Sequence, residues 1–495
     1  MGRSVKFFCI LFVFFIAGAL AANYTLNHFY VNGAYFADSG WFAYLSAHTT
    51  QWPASNPPAL GGTFFSIHFS PGFYISSAVY GAIQALGLAL PDVVWFSMLQ
   101  GFWLSLTAVA LFSLLIGKEE VRPIHISAMA LASLLLSFNG IFLATIGFPH
   151  FEIAIPALLA AFFALFSRGR RGAALVALGW GLLMREDAGL HYFGLFFLMA
   201  CYCWAMNGWK FSPRVKLYGG LALACFVYSA AAIAFQKSNY SAGGNALASV
   251  YLGVPTYAHV TADFLRDRLW FLATERLYIW VPLLITIFLA FWKREWWLLI
   301  GVGAVVPWIV FSLLALTPQA GTLTSYYAFP VAIALLWPVM GRVLFAAKDG
   351  APRVATRDIL VVGLASLLLY GGSEGNHDPE PWKRFGPDWV GKVNATDTGL
   401  KDFLRANPQL KLVYDDAVTS LLNQTSTKAH WRYTMSFAAD EIQAFDGILY
   451  HQGGWLTPRV MEIAAEGQFN SWCYLPETPF VVVTRTSDAK SCVYR

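Results

Sequence analysis

The chain has 495 residues, of which 57% are hydrophobic and only 12% charged, with a mean hydropathy of +0.53. A soluble globular chain carries about 25% charged residues, so this composition excludes an ordinary soluble fold and indicates a polytopic membrane protein. The net charge of +5 is too modest to call for a nucleic-acid partner, and its distribution along the chain matters more than its size.

The chain starts "MGRSVKFFCILFVFFIAGALAAN". A basic start, an apolar core and Ala19-Leu20-Ala21 fit both a membrane anchor and a cleavable signal peptide. Either reading puts the following segment outside. A span needs about 20 apolar residues, or as few as about 17. Candidates lie near 7–22, 73–90, 93–116, 124–146, 152–167, 173–187, 189–206, 216–235, 277–292, 296–316, 325–346 and 358–371.

Cytoplasmic loops carry excess Lys and Arg. Basic clusters occur at Arg3/Lys6, Lys118/Arg122, Arg168/Arg170/Arg171, Lys210/Arg214/Lys216, Lys293/Arg294 and Arg342/Lys348/Arg353/Arg357, whereas 23–72, 139–151 and 317–325 contain no Lys or Arg. The two sets alternate only if 73–90 does not cross and lies on the outer side as a re-entrant or interfacial helix. The expected architecture is therefore a transmembrane domain over 1–372 with about eleven transmembrane helices and a cytoplasmic N-terminus.

From 373 to 495 the composition turns polar. Short strand-like runs, "LKLVYDD" (410–416) and "PFVVVTR" (479–485), flank a helical "GLKDFLRAN" (399–407). This predicts a soluble, extracytoplasmic α/β domain large enough for its own core. Cys473 and Cys492 are its cysteines, and an outer location permits a disulfide between them. Cys9, Cys201, Cys203 and Cys225 sit in apolar runs and read as small hydrophobes. No Cys/His spacing suggests zinc. A divalent metal has no clear site, and no cofactor motif is present.

Between Lys6 and Lys118 only Asp38 and Asp92 are formally charged. Asp38, in the aromatic stretch "NGAYFADSGWFAYL", fits a helix N-cap and equally a general base for a hydroxyl nucleophile. "SIHFSPGF" (66–73) offers His68, and "GFPHFE" (147–152) offers His150 and Glu152 at an outer helix end. In "LLMREDAGLHYF" (182–193), Arg185, Glu186 and Asp187 interrupt two apolar runs. Each charge at a bilayer centre costs about 2.5–3.5 kcal/mol. They therefore belong at a helix end or in a polar cavity, either as a local ion pair or as an anion site in which Arg185 grips phosphate with both arms. Arg266, Arg268 and Arg276 in 263–280 stand on the outer side against the positive-inside trend. An anionic headgroup or an amphipathic surface helix accounts for them. Tyr326 and Tyr327 open a late span.

The ordered set Asp38-Ser39-Gly40, "HFSP" (68–71), "GFPHFE", "RED" (185–187) and "SYYAFP" (325–330) resembles a family of predicted prokaryotic membrane proteins of unknown function. That family in turn resembles the GT-C glycosyltransferases, which include the aminoarabinose and protein mannosyl transferases. The likeness covers roughly residues 7–346. The family usually carries His-Pro-Glu where this chain has Pro149-His150-Phe151-Glu152, and Lys-Glu-Asp where it has Arg185-Glu186-Asp187. The resemblance implies a GT-C-like fold, an acidic residue of the first outer loop beside the acceptor, and a polyprenyl-phosphate-linked sugar as donor. Juxtamembrane helices after that loop agree with 73–90 not crossing.

The function expected is glycosyl transfer. Asp38 would orient or deprotonate an acceptor hydroxyl, and Arg185 would hold the departing phosphate with help from Arg266 or Arg268. His68, His150, Glu152, Glu186, Asp187, Tyr326 and Tyr327 would line the substrate. Two rivals remain: a lipid or polysaccharide transporter, which wants charges deep within several spans, and a non-catalytic protein whose outer domain binds a ligand through "YDDAVTSLLNQ" (414–424).

Overall fold

The computed structural model describes residues 2–31, 37–57, 62–116, 123–240, 251–345, 354–371, 381–414, 430–431, 443–452 and 457–494. It is mostly helical, with one small mixed sheet near the C-terminus. The helices are α1 (Gly2–Tyr30), α2 (Ala37–His48), α3 (Gly72–Ala85), α4 (Asp92–Ile116), α5 (Pro123–Ser137), α6 (Gly140–Gly147), α7 (Ala154–Ser167), α8 (Arg171–Leu183) and α9 (Ala188–Met206). They continue with α10 (Pro213–Tyr240), α11 (Ala262–Glu275), α12 (Leu277–Lys293), α13 (Leu299–Leu313), α14 (Pro318–Gly321), α15 (Phe329–Phe345), α16 (Thr356–Tyr370), α17 (Lys392–Ala406) and α18 (Thr457–Ala465).

Among the described residues, six helices are long and apolar enough to cross a membrane: Ser4–Tyr30, Asp92–Ile116, Ala188–Met206, Pro213–Tyr240, Trp296–Leu313 and Pro318–Phe345. Two bent pairs, Ile124–Ser137 with Gly140–Gly147 (51°) and Ala262–Glu275 with Leu277–Lys293 (82°), raise the number to eight if each is one span. Phe151–Ser167 and Arg171–Leu183 are shorter apolar helices. Each of the eleven segments expected to cross is thus helical, but α7, α8 and α16 are short. At 14 residues, α3 extends only about 21 Å, against about 30 Å of hydrocarbon. Large apolar side chains stand exposed along several helices, including Phe8 at 67%, Val176 at 70%, Leu223 at 62% and Leu284 at 60%. Faces like these suit a lipid surface, where the bilayer replaces a protein core.

Packing divides the chain into two compact units: Met1–Ala21, Phe65–Gly72 and Leu99–Trp382 in the first, and Ala22–Phe64, Phe73–Met98 and Lys383–Arg495 in the second. The expected division kept 23–72 and 73–90 with the membrane helices; of these, Phe65–Gly72 lies in the first unit and the remainder in the second. In the second unit, polar side chains on the last turns of α1 reach the tail. Asn27 donates to the Arg384 carbonyl at 2.6 Å, and Asn23 donates to the carbonyls of Phe385 and Gly386 at 2.9 and 2.7 Å. The Tyr24 ring packs on Phe385 at 4.9 Å.

In the first unit α7 packs on α8, α9 on α10, α12 on α16, and α13 on both α9 and α15. The α5–α6 bend has a definite cause. Asn139 caps α6, its Oδ1 accepting from the amides of Ile141 and Phe142 at 3.0 and 3.2 Å, which restarts the helix in a new direction. Gly140 admits α16 at that corner, since a Cβ there would lie 2.5 Å from the Ser366 carbonyl oxygen.

In the second unit, Asp92 at the start of α4 is buried and accepts from His48 of α2 at 2.9 Å and from Tyr80 of α3 at 3.2 Å. The six-stranded sheet has the order β2-β1-β3-β5-β4-β6, with β1 (Leu412–Tyr414), β2 (His430–Trp431), β3 (Gly447–His451), β4 (Ser471–Tyr474), β5 (Phe480–Thr484) and β6 (Val493–Tyr494). β1 is parallel to β2 and β3, and the remaining pairs are antiparallel. The runs expected to form strands supply β1 and β5, and "GLKDFLRAN" lies in α17. Residues 415–424 of "YDDAVTSLLNQ" fall outside the described residues. Val413, Ile448, Val481 and Val483 form the domain core with Val460 and Ile463 of α18.

Cys473 and Cys492 are joined by a disulfide, 19 residues apart in sequence. A bridge closing a loop of that size stabilises by about 3 kcal/mol, chiefly by restricting the unfolded chain. Cys473→Ala should lower the domain's resistance to urea by about that amount, and reductant should do the same to the wild type. An unchanged unfolding midpoint in both experiments would dismiss the bridge as a stabilising element.

Candidate functional site

In the first unit, α8 ends at Leu183 and α9 restarts at Ala188. Arg185, Glu186 and Asp187 occupy the turn because charges are tolerated where helical runs break and polar partners can gather. Arg185 donates through Nη1 to Glu152 Oε1 and through Nη2 to Asp187 Oδ2, both at 2.8 Å. Glu152 comes from the 3-10 turn Phe151–Ile153 ahead of α7 and is fully buried. Its second oxygen accepts from His150 Nδ1. Glu186 receives His68 Nδ1 at 2.8 Å and the Phe69 amide at 2.9 Å.

Aromatic rings close around this polar group. The Tyr326 ring lies flat on His150, with centroids 3.7 Å apart and planes 4° apart, and Tyr327 stacks on Tyr326 at 4.3 Å. The Arg185 guanidinium stands 5.8 Å from the centre of the Phe329 ring. The four stretches containing His68, His150/Glu152, Arg185–Asp187 and Tyr326/Tyr327 are therefore one constellation, although they lie far apart in the sequence.

Three carboxylates, Glu152, Glu186 and Asp187, face one guanidinium. Burial alone would lower the Arg185 pKa, but Asp187, Glu152 and Glu186 together raise it well above the usual arginine value. Burial would push the Glu186 carboxyl up. The charge and hydrogen bond of His68, with Arg185, outweigh it and hold Glu186 below the usual range. Tyr251 lies close enough to interact electrostatically with Arg185, Tyr327, Asp187 and Glu152, and burial pushes its phenol up.

Several buried polar atoms here have no hydrogen-bond partner among the described residues: Arg185 Nε, Asp187 Oδ1, both ring nitrogens of His191, Ser70 Oγ and Gln100 Oε1. Native proteins satisfy most such atoms, so this concentration in one place has chemical meaning. His191 Nε2 is 3.9 Å from Asp187 Oδ2, and its ring lies 4.0 Å from Trp308 and 4.9 Å from Phe329. Among the described residues, Asp187 contributes an unengaged acceptor oxygen, Arg185 an unengaged donor, and the rings flat apolar faces. Sites of this type combine apolar surface with a few placed polar groups.

Other expected site residues lie elsewhere. Asp38 belongs to α2 in the second unit, and its side chain is outside what the structure describes. Arg266 is exposed and pairs with Asp263 at 2.9 Å and Asp267 at 3.1 Å, so it behaves as a solvated helix-surface charge. Arg268 is buried, but its polar contacts are to the carbonyls of Ala315 and Leu316. The role expected for Arg185 also changes: the two nitrogens that would grip a phosphate are held by Glu152 and Asp187. Their position fits an ion pair that orients Asp187. Among the described residues no group of three or more His, Cys, Asp or Glu is arranged to hold a metal ion.

Four contributors carry no motif. Gln100 of α4 donates to the His150 carbonyl at 3.1 Å, and Gln236 of α10 donates to the Ile67 carbonyl at 2.8 Å. His191 and Tyr251 complete the set. Their one signal in the sequence is a hydrogen-bonding side chain within or beside an apolar run; for His191 it is also the four-residue step from Asp187, which places both on one helix face. No protein-family model, curated protein or solved structure matches this chain.

Two measurements check this electrostatic arrangement. Glu152→Ala strands a buried guanidinium, and breaking such a pair costs about 3–5 kcal/mol. Thermal unfolding in detergent should show that loss, with much of it recovered when Arg185→Met is added. Equal loss in the single and double variants would refute the pairing. Because the folded state holds Glu186 below its unfolded value of about 4.3, its contribution is complete above that pH. It is lost as pH falls through the lower folded value. Glu186→Gln should flatten this acid limb of the stability profile, and an unaltered limb would contradict the assignment.

Proposed function

We propose that this protein is a membrane glycosyltransferase of GT-C type that moves a sugar from a polyprenyl-phosphate-linked donor to a hydroxyl acceptor outside the cytoplasm. The observation that carries this reading is the gathering, on Arg185, Asp187 and His191 between aromatic walls, of buried polar atoms with no partner among the described residues, a lining suited to sugar hydroxyls. Eleven spans, with α3 not crossing, give the orientation. The constellation sits at the start of α7, α9 and α15 and the end of α8, while Arg168, Arg171, Lys210 and Arg342 stand at or just beyond the opposite ends. By the positive-inside tendency, the site then faces outward. The ionisable groups of the constellation itself gather at one set of helix ends, which favours an enzyme over a transporter.

In the proposed reaction the acceptor oxygen attacks the anomeric carbon as the bond from that carbon to the phosphate oxygen breaks. The acceptor proton passes to a general base, a role for which the sequence offers Asp38, and the lipid phosphate departs with the bonding electron pair. Asp187, steadied by Arg185 and Glu152, accepts from a sugar hydroxyl and sets the approach. Tyr326 and Tyr327, braced on His150, bound the sugar face, while His68 holds Glu186 in place. A positioned base contributes about 10²–10⁴-fold.

Mass spectrometry of lipids co-purifying with the wild type should find a polyprenyl-phosphate sugar. Asp38→Asn should retain that lipid while transfer falls by about 10²–10⁴-fold, and Asp187→Asn should lose it. Finding bulk phospholipid alone with the wild type would eliminate the donor class, and normal transfer by Asp38→Asn would remove that residue from the reaction.

A further inference from the structure

With the arms of Arg185 held by carboxylates, the negative charge of a lipid phosphate needs another partner. One corner of the first unit contains a candidate with contrasting surroundings. Arg268, midway along α11, is 8% exposed, and no carboxylate pairs with it among the described residues. Nη2 meets the carbonyls of Ala315 and Leu316 at 3.3 and 3.4 Å, at the long end of hydrogen bonding. Nη1 is buried without a hydrogen-bond partner. The guanidinium lies 4.6 Å from the centre of the Phe264 ring. Desolvating a cation without a counter-charge is costly, and two long carbonyl contacts and the Phe264 ring leave its charge unneutralised among the described residues.

The corner is also shaped for the guanidinium. Gly321 gives up its side-chain volume to it, since a Cβ there would lie 1.0 Å from Arg268 Nη1. Arg276, two helical turns on, is fully buried and donates to the Thr322 carbonyl at 3.0 Å and to Thr324 Oγ1 at 2.8 Å. A second positive charge thus faces the same loop. That loop leads directly to Tyr326. On its other side the Leu316 amide donates to the Tyr251 carbonyl at 3.0 Å, and Tyr251 is electrostatically coupled to Arg185 and Asp187.

We propose that Arg268 is the phosphate-binding residue of this protein, gripping the phosphoryl group of the lipid donor and of the departing lipid. The ligand class rests on the preceding reading; the location rests on the buried, carboxylate-free guanidinium. Arginine suits the task because its planar fork matches phosphate oxygens and stays charged when desolvated.

The test is thermal unfolding of the purified full chain titrated with farnesyl phosphate, farnesol and inorganic phosphate. Farnesyl phosphate should raise the wild-type midpoint and farnesol should not. Arg268→Met should weaken apparent affinity about tenfold to a hundredfold, as expected for a hydrogen-bonded charge. Gly321→Ala, which keeps the arginine but displaces it, should do the same, and Arg268→Lys should fall between. If Arg268→Met does not fold, those two variants decide. If inorganic phosphate matches farnesyl phosphate and loses its effect in Arg268→Met, the site stands and its ligand is free phosphate. Undiminished binding of farnesyl phosphate by the variants overturns the assignment while leaving the glycosyltransferase reading intact. A wild type that responds to none of the three overturns both.

Discussion

A guanidinium taken out of water loses several kcal/mol of hydration, and only charge partners with good geometry restore it. Arg185 is held in that way by Glu152 and Asp187, each at 2.8 Å, and the rest of the constellation follows from this constraint. Glu152 must be brought to the start of α7, so the turn before it places His150 against the second oxygen. His150 in turn offers a flat face to Tyr326, which ties the beginning of α15 to the same point. Glu186, adjacent in the turn, anchors the segment around His68. Four chain segments are therefore held together by one buried charge and the groups needed to neutralise it.

The surplus of carboxylate over guanidinium also decides what the cluster suits. A site with three acids around one arginine does not favour an anion, whereas it can accept hydrogen bonds from hydroxyl groups. The corner around Arg268 has the opposite balance, with positive charge and, among the described residues, no carboxylate partner for that arginine. On the proposed reading, sugar hydroxyls and phosphate would meet separate, oppositely biased surroundings joined by the short stretch from Ala315 to Tyr327. In that reaction, separating the two would let the cluster that orients the sugar remain the same before and after the phosphate leaves.

Much of this was legible in residue types. A run such as that of α7 is apolar along its whole length and reads as a candidate span, and the charged triplet between apolar runs reads as a helix end or a polar cavity. The expected pairing of Cys473 with Cys492 is present, and strands were anticipated where Leu412–Tyr414 and Phe480–Thr484 lie. Less legible were single polar residues inside apolar stretches. Gln100 and Gln236 look like isolated exceptions along the chain, because the carbonyls they meet are separated from them by many residues. Arg266 and Arg268 illustrate the limit further. They are two residues apart on one helix, so their side chains diverge by about 200°; one faces carboxylates in solvent and the other is buried against a loop fifty residues on.

By itself the sequence determined that the chain is a polytopic helical membrane-type protein with a small α/β tail, because hydrophobic content and periodicity are local properties that no partner can disguise. It also singled out the motif residues that converge, since charges in apolar surroundings demand a reason. Only the tertiary structure decided which charges pair with which. It set Arg185 between carboxylates of the chain itself, left Arg268 without a carboxylate partner among the described residues, and grouped Ala22–Phe64 and Phe73–Met98 with the tail. Pairing depends on distances of a few ångströms between residues remote in sequence, and those distances are set by helix packing, bends and close approaches at glycine rather than by any local pattern.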